Sequence, residues 1–283
     1  MTKRRPMTPT TGVTTPRAHA RHDGVSVGRC PDSGSAPTPR GFTIVELIVC
    51  LGVIAVLCGI LLPSLRATRE AARRMSCASN QRQIGAALSA YAMANDDLLP
   101  PSGALRQGAF RPWELMAARH GPGTFEPVDS VGGWDGLGLL VKGSYLGDGC
   151  QCLHCASHHG EHPFERYAGA YPADTTRSQI YTNYHYSGHV RYEGSGTDIA
   201  SARRVSLNDG HDVVLLSDGL RTQLDFNHRV GLNRMWADLS VEWVADSQSS
   251  LFTALPPDPS NLPGDAPQRY GEIWETVSDP LTR

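Results

Sequence analysis

The sequence predicts an α+β protein, in which one long, kinked amino-terminal helix carries a small antiparallel β-sheet head. Three observations support this fold class. A 19-residue apolar run from Ile44 to Leu62 contains Glu46 as its only charge. Helical periodicity continues after that run, and short strand-like segments separated by Gly- and Pro-rich loops follow from Leu98 onward. The 283 residues of the chain suffice for one ordinary domain with such additions.

The net charge of −2 conceals an uneven distribution. Residues 1–41 contain seven basic and two acidic residues, a net of +5, which leaves −7 for the remainder. This first segment is rich in Thr, Pro, Ser, Gly and Arg and has few large apolar residues, so we expect it to be disordered. A basic leader, an apolar run and a mildly acidic body are typical of a membrane-targeted chain with a soluble domain, and we expect no nucleic-acid binding.

The apolar run is long enough to cross a bilayer. Nineteen residues of helix span about 28 Å, close to the roughly 30 Å of the hydrocarbon core. The run exceeds the apolar part of an ordinary secretory signal, and no small-x-small cleavage site follows it. We therefore expect a membrane-spanning helix over residues 42–62. A carboxylate inside hydrocarbon costs about 2.5–3.5 kcal/mol, so Glu46 is expected to have a function and a partner.

An amphipathic continuation of the same helix is predicted over residues 63–96. Pro63 should bend the helix rather than end it, because proline disturbs only the local hydrogen bond and the preceding turn. The polar segment at 95–97, followed by two prolines, is a plausible stop. Apolar residues at i, i+3, i+4 and i+7 define the face that should pack on the head: Ile84, Ala87, Leu88 and Tyr91.

The head is predicted over residues 97–255. Its strand-like segments are SQIYTNYHYSGHV, DVVLLSDG and LNRMWADLSVEWV. The last segment alternates on either side of residues 238–240 and predicts a hairpin. We expect a small antiparallel sheet packed on the amphipathic half of the helix. A Pro-rich tail follows at 256–283, from which Trp274 could dock back.

The segment GFTIVEL, residues 41–47, resembles the cleavage and methylation motif of type IV pilins and type II secretion pseudopilins. The resemblance implies that a prepilin peptidase removes the leader by cutting between Gly41 and Phe42, and then methylates the new amino terminus at Phe42. Glu46 matches the glutamate of that family, and Pro63 matches the proline that kinks its long helix.

The resemblance also implies location and partners. The protein would be held in the bacterial inner membrane as a single-pass protein, with its head in the periplasm or at the cell surface. Its partners would be the peptidase and other pilin or pseudopilin subunits. An ammonium at Phe42 and a carboxylate at Glu46 could pair between staggered neighbours, which would remove an unpaired charge and set the axial register.

The segment that follows the apolar run is similar to pilin-like proteins of planctomycete-type bacteria. The similarity is sharp to about residue 101 and rests on short matches beyond it. One such match is FNHRVGLNRMWADLSVEWV, which resembles a terminal hairpin normally closed by an Asp-Gly turn. Leu239 replaces that glycine, so we expect a wider loop rather than a tight turn with positive φ.

The segment CQCLHCASHHGEH, residues 150–162, concentrates thiols and imidazoles. Three interpretations stay open: a metal site for zinc or copper, a disulfide, and unpaired thiols. The spacing differs from a standard zinc knuckle. A disulfide would most simply join Cys77 to Cys155 and staple the helix to the loop above it. The metal ligands would be Cys150, Cys152, Cys155 and His158.

Two other kinds of site are weighed against simpler interpretations. Some pseudopilins that this chain resembles carry a structural calcium, for which the candidates here are four aspartates: Asp209, Asp212, Asp218 and Asp238. They are scattered among predicted strands and turns, where Asp usually forms turns. The aromatic residues Tyr181, Tyr184, Tyr186, Trp236 and Trp243 could form an adhesive or sugar-binding face, but core positions are the default.

Enzymatic activity is not expected. Histidine occurs beside Asp and Ser, as in the segment NDGHD at 208–212. No nucleophile elbow, HExxH helix or phosphate loop accompanies it. The sequence therefore favours a structural prepilin-like subunit, and the alternative is a membrane-anchored exported domain that binds a metal through its Cys/His loop.

Overall fold

The amino-terminal helix α1 is one element, Ile44–Met93, in the computed structural model of the chain. The structure describes residues 41–102, 105–106, 109–110, 116–121, 133–147, 150–171, 178–188, 204–258 and 266–279. The predicted disordered leader, apart from Gly41, lies outside these described residues. The chain divides into two units, Met1–Ala55 and Val56–Arg283, and each is described by itself.

Helix α1 continues through Pro63 without interruption. Proline has no N–H and cannot donate to the preceding turn. Hydroxyls near the proline hydrogen-bond to the backbone of the helix: Ser64 Oγ donates to the carbonyl of Leu61 at 2.9 Å, and Thr68 Oγ1 donates to the carbonyl of Ser64 at 3.0 Å. The α+β class, with one long apolar amino-terminal helix and small antiparallel sheets, is confirmed.

The end of α1 lies at the predicted polar stop. Asp96 and Asp97 adopt φ values of 56° and 60°, in the left-handed region that terminates many helices. The amide of Asp97 donates to the carbonyl of Ala92 at 3.0 Å. Asn95 Nδ2 donates to the carbonyl of Tyr91 at 2.7 Å. These bonds satisfy carbonyls of the last turn that have no partner within the helix.

One face of the second half of α1 is buried. Its spacing of three or four residues places the buried side chains on a single stripe. Of the predicted face, Ile84, Ala87 and Leu88 are buried, and Tyr91 is half-buried with its ring edge-on to Tyr145 at 5.6 Å. The buried residues of α1 are Cys77, Gln81, Ile84, Gly85, Ala87, Leu88 and Ala92.

A four-stranded antiparallel sheet forms the centre of the head, in the order β5 (Tyr184–Tyr186), β6 (Val214–Asp218), β7 (Gly231–Trp236) and β8 (Val241–Ala245). Two further antiparallel pairs, β1 with β2 and β3 with β4, lie outside it. The strands are β1 Leu105–Arg106, β2 Ala109–Phe110, β3 Ala117–Arg119, β4 Ile180–Tyr181, β5 Tyr184–Tyr186, β6 Val214–Asp218, β7 Gly231–Trp236 and β8 Val241–Ala245. The shorter helices are α2 Gly138–Lys142, α3 Phe164–Tyr167, α4 Ser250–Ala254 and α5 Ala266–Ser278.

Both faces of the sheet are covered, which explains why every residue of β6 and β7 is buried. Side chains alternate between faces along a strand. In β7, Met235 packs in the same cluster as Ile84 and Leu88 of α1. Leu232 and Trp236 pack in a second cluster with residues of α4 and α5. The sheet is therefore the middle layer of the head.

Helix α5 lies within the segment that the sequence suggested as a Pro-rich tail. Its residues Ile273, Trp274 and Val277 are buried in the second cluster, so Trp274 docks on the head. The buried guanidinium of Arg234 donates to the carbonyls of Val277 and Asp279. A cation that binds the last carbonyls of a helix stabilises its carboxyl end.

The predicted hairpin of β7 and β8 is present, and residues 237–240 between the strands form the expected wider loop rather than a two-residue turn. The expectation that Leu239 would avoid positive φ is wrong, since Leu239 has φ 66°. Left-handed backbone costs a non-glycine residue roughly 1–2 kcal/mol. The side chain of Leu239 packs over Gly85, where an added Cβ would lie 3.5 Å from Leu239 Cβ. Asp238 Oδ1 also accepts from the amide of Ser240 at 2.8 Å. Packing and this turn bond offset the backbone cost.

The aromatic residues weighed as a binding face mostly lie in the interior. Tyr184, Tyr186 and Trp236 are almost completely buried. Tyr181 and Trp243 are half-buried on strands β4 and β8.

We predict that Leu88→Ala lowers the free energy of unfolding of the head by about 2–5 kcal/mol, because it opens a cavity beneath a fully buried side chain. Gln83 is exposed on the same helix, and Gln83→Ala should change that free energy by less than about 0.5 kcal/mol. Urea titration of the full chain in detergent, followed by tryptophan fluorescence, measures both. Equal effects of the two substitutions would contradict the described packing of α1.

Candidate functional site

The first half of α1 presents apolar side chains in every direction. Leu47, Ile48 and Val49 are consecutive, about 100° apart around the helix axis, and between 53% and 62% exposed. Among the described residues, α1 is the one helix long and apolar enough to cross a membrane, with a mean hydropathy of 2.9 in its best window and none of that window buried. Apolar surface of this extent is covered by lipid or by protein in nature.

Glu46 has a partner in its own chain. Thr43 and Glu46 form a capping box at the start of α1. The amide and the hydroxyl of Thr43 donate to Glu46 Oε2 at 2.8 and 2.9 Å, and the amide of Glu46 donates to Thr43 Oγ1 at 3.2 Å. The spacing Thr-x-x-Glu is the sequence signal for this motif, and the sequence analysis missed it. One carboxylate oxygen, Oε1, has no hydrogen bond among the described residues.

The predicted processing site immediately precedes α1 and is accessible to other molecules. Gly41 and Phe42 are exposed and non-helical, and the side chain of Phe42 is 76% exposed. A Cβ added at Gly41 would meet no atom within 4 Å. The fold therefore does not require glycine at this position, so a requirement for glycine would come from another molecule.

A disulfide joins Cys77 of α1 to Cys155, with 5.4 Å between their Cα atoms. This is the pair that the sequence analysis named. The neighbouring Asn80, one turn along α1, donates from Nδ2 to the carbonyl of His154 at 3.1 Å. The helix thus holds the Cys/His loop by one covalent bond and one hydrogen bond at adjacent positions.

The structure does not bring Cys150, Cys152, Cys155 and His158 together as metal ligands. The disulfide uses Cys155, and His158 Nδ1 is instead 2.9 Å from Asn227 Oδ1. Within the part of the chain that the structure describes, one group of three ligand atoms lies within 4.8 Å of one another. That group, which we call the junction cluster, consists of Cys77, Cys155 and His228.

His228 is the centre of a buried polar network at the junction cluster. Its Nδ1 lies 2.7 Å from Glu70 Oε1 on α1. Its Nε2 lies 3.6 Å from Cys155 Sγ and 3.6 Å from Asp218 Oδ2. Neither Glu70 nor His228 could be predicted from the sequence, because residues separated by 158 positions give no local signal.

Asp218 is fully buried at the end of β6, and burial raises the pKa of its carboxyl. Its Oδ2 accepts from the amide of Asn233 at 2.6 Å and from Asn233 Nδ2 at 3.0 Å. Its Oδ1 accepts from Gln81 Nε2 of α1 at 3.1 Å. These bonds fix the carboxylate beside His228.

The four aspartates considered for calcium are not gathered at one site among the described side chains. Asp209 Oδ2 accepts from the amide of Ser206 in a capping box, and Asp238 closes the hairpin turn. Asp218 lies beside His228 of the junction cluster, with Oδ2 3.6 Å from Nε2. The side chain of Asp212 lies outside the described residues.

A polar cleft of about 500 Å³ opens beside the disulfide, between α1 and the Cys/His loop. Two buried histidines support that loop. His154 Nε2 lies 2.9 Å from the hydroxyl of Tyr171, and burial lowers the pKa of His154 to about 4. His162 Nδ1 lies 2.5 Å from the hydroxyl of Tyr167, and burial, aided by nearby cationic groups, lowers its pKa to about 3. Both imidazoles are therefore neutral at pH 7.

Comparison with known protein families gives a match to part of the chain. A family model described as a protein of unknown function, DUF1559, matches residues 66–134. The match covers about a quarter of the chain, including the half of α1 that packs on the head, and it excludes the GFTIVEL segment. No curated protein and no solved structure matches the chain.

We predict that Cys77→Ser lowers the free energy of unfolding by about 2–5 kcal/mol, because the disulfide closes a loop of 78 residues in the unfolded chain. Cys152→Ser, outside the disulfide, is the matched control and should leave the unfolding midpoint nearly unchanged. Peptide mapping without reductant should recover the Cys77–Cys155 pair. Recovery of Cys150 or Cys152 paired with Cys155 would contradict this connectivity.

Acid should destabilise the head through His154 and His162. Because their folded pKa values are depressed, the unfolded chain binds protons first as the pH falls below about 6.5. Their contribution to stability is complete above that pH and is lost as the pH falls toward about 4 and then 3. The loss is at most about 1.4 kcal/mol per pH unit for each histidine.

Urea midpoints measured between pH 7 and pH 4 check this expectation. The variant His154→Gln/His162→Gln should show a shallower fall than the unchanged chain. His159 is exposed, and His159→Gln should retain the full fall. Parallel curves for all three proteins would show that His154 and His162 do not cause the acid sensitivity.

Proposed function

We propose that the protein is a structural prepilin-like subunit. Prepilin peptidase cuts it after Gly41 and methylates Phe42, and α1 then assembles with neighbouring subunits into a pseudopilus or a pilus-like filament. The observation that carries the proposal is the exposed apolar surface around the whole first half of α1, preceded by the segment GFTIVEL. That surface can lie in the inner membrane before assembly and against other subunits after it.

The apolar surface fits both environments for the same physical reason. Burial of apolar area contributes roughly 25 cal/mol per Å², whether lipid or protein removes the water. Leaving the membrane for a helical bundle therefore exchanges one apolar environment for another. The exported head, joined to α1 by the buried stripe and the Cys77–Cys155 disulfide, would be carried on the outside of the filament.

Glu46 supports the proposal because its capping box uses only one of its two carboxylate oxygens. Cleavage after Gly41 retains Thr43, so the capping box survives processing. Oε2 stays with Thr43, while Oε1 can accept a hydrogen bond from the methylated ammonium of Phe42 in a neighbouring subunit. The carboxylate of Glu46 would thus cap its own helix through Oε2 and set the position of the next subunit through Oε1.

We predict that Glu46→Gln abolishes filament assembly while membrane insertion is retained. Glutamine keeps the capping box but removes the charge that pairs with the ammonium. The matched variant Thr43→Val removes the cap and keeps the charge, so it should assemble. Membrane fractionation, sheared-filament recovery and electron microscopy of both variants provide the measurements.

Filaments formed by Glu46→Gln at the normal yield would contradict the charge-pairing role of Glu46. Loss of assembly in Thr43→Val alone would assign Glu46 to helix capping. Loss of membrane insertion in either variant would show that the residue acts before assembly.

A further inference from the structure

We propose that the junction cluster is a redox-controlled site for a thiophilic divalent cation of the zinc class. When the disulfide is reduced, Cys77 Sγ, Cys155 Sγ and His228 Nε2 would bind the ion, with an oxygen of Asp218 as the fourth ligand. The same junction between α1 and the head would then be closed either by a disulfide or by a metal. This inference does not depend on filament assembly.

The spacing of the ligand atoms suits a tetrahedral ion. Bonds of about 2.3 Å to sulfur and 2.0–2.1 Å to nitrogen or oxygen place neighbouring ligand atoms roughly 3.3–3.8 Å apart. His228 Nε2 is 3.6 Å from Cys155 Sγ and 3.6 Å from Asp218 Oδ2. Breaking the disulfide releases the two sulfurs to separate. Asp218 lies outside the group of three whose ligand atoms are all within 4.8 Å of one another, so its carboxylate must approach the sulfurs when the ion binds.

The orientation of His228 is that of a metal ligand with a supporting carboxylate. Nδ1 faces Glu70 Oε1 at 2.7 Å, which leaves Nε2 directed at the two sulfurs. The other oxygen of Glu70 accepts from Ser157 Oγ at 3.2 Å, so the carboxylate is itself held in place. Such a carboxylate fixes the tautomer and raises the basicity of a ligating imidazole.

Charge also favours a cation at this site in the reduced state. Two thiolates and the fully buried carboxylate of Asp218 would place three negative charges together. A divalent ion offsets two of them, whereas without the ion the thiols would retain their protons. Gln81 and Asn233 hold Asp218 by hydrogen bonds beside His228 Nε2, so the fourth ligand is close to the site before the ion arrives.

The redox step is a thiol–disulfide exchange with an external dithiol. The dithiol gives two electrons and two protons, becomes a disulfide itself, and leaves Cys77 and Cys155 as thiols. Binding of the ion then forms two metal–sulfur bonds and releases the two thiol protons to solvent. Cys155 lines the polar cleft beside the disulfide, which gives the reductant and the ion a route to the sulfurs.

Cobalt(II) is the probe for the test, because thiolate ligation produces a charge-transfer absorption and tetrahedral geometry produces intense visible bands. The protein is the full chain in detergent, in a Cys30→Ser/Cys50→Ala/Cys58→Ala background that removes the thiols of the leader and of the apolar run but keeps Cys150 and Cys152. We expect one Co²⁺ per chain after reduction, displaced by Zn²⁺, and no thiolate band in the oxidised protein. Absence of the band in the reduced protein overturns the proposal.

Matched variants assign the ligands. His228→Gln should abolish the tetrahedral spectrum, and Cys150→Ser/Cys152→Ser should leave it unchanged; the opposite pattern would place the metal in the Cys/His loop and overturn the proposal. Glu70→Gln retains every ligand and should weaken affinity about ten- to a hundredfold. Near-ultraviolet circular dichroism of the oxidised protein shows whether His228→Gln folds. If it does not fold, Glu70→Gln is the deciding variant, and an unchanged Co²⁺ affinity in Glu70→Gln contradicts the site.

Discussion

The head depends on the packing of one stripe of α1 against the four-stranded sheet. Ile84 and Leu88 fill the space under β5 to β7, and Gly85 lets Leu239 and Met235 approach the helix. A four-stranded sheet with two apolar faces needs cover on both, and α1 supplies one of them while α4 and α5 supply the other. The buried stripe therefore gives the head its core. The apolar first half of the same helix has no such cover among the described residues.

Polar side chains along this stripe also connect α1 to the head: Gln81 is buried, and Glu70 and Asn80 are half-buried. Gln81 reaches Asp218, Glu70 reaches His228, and Asn80 reaches the carbonyl of His154. Buried hydrogen bonds of this kind contribute little net stability, but leaving one partner unsatisfied is costly. They consequently fix one register of the helix on the sheet, and the disulfide from Cys77 to Cys155 makes that register covalent.

Local patterns were sufficient to predict the long helix, its buried face, its stop and the final hairpin. Periodicity in α1 and alternation in β7 and β8 report directly which side chains face the core. Helix α5 was not predicted in this way, because the segment before it is Pro-rich and Gly271 within it disfavours a helix, although Pro267 in its first turn is compatible with one. Its stability comes from the docking of Trp274 and from the guanidinium of Arg234. Likewise, the junction cluster joins residues from three distant segments, and only the fold brings them together. The capping box of Glu46, by contrast, has a local sequence signal, the spacing Thr-x-x-Glu.

The central claim is that the apolar half of α1 begins at a processed amino terminus. Intact mass and amino-terminal sequencing of the protein recovered from its native membranes test it most directly, with a Gly41→Val variant as the control. We expect a chain that begins at N-methylated Phe42, and an uncut chain for Gly41→Val, because a side chain there meets nothing in the fold and would obstruct only the peptidase. An unmodified native chain that still carries residues before Gly41 would contradict processing and leave a simple membrane anchor.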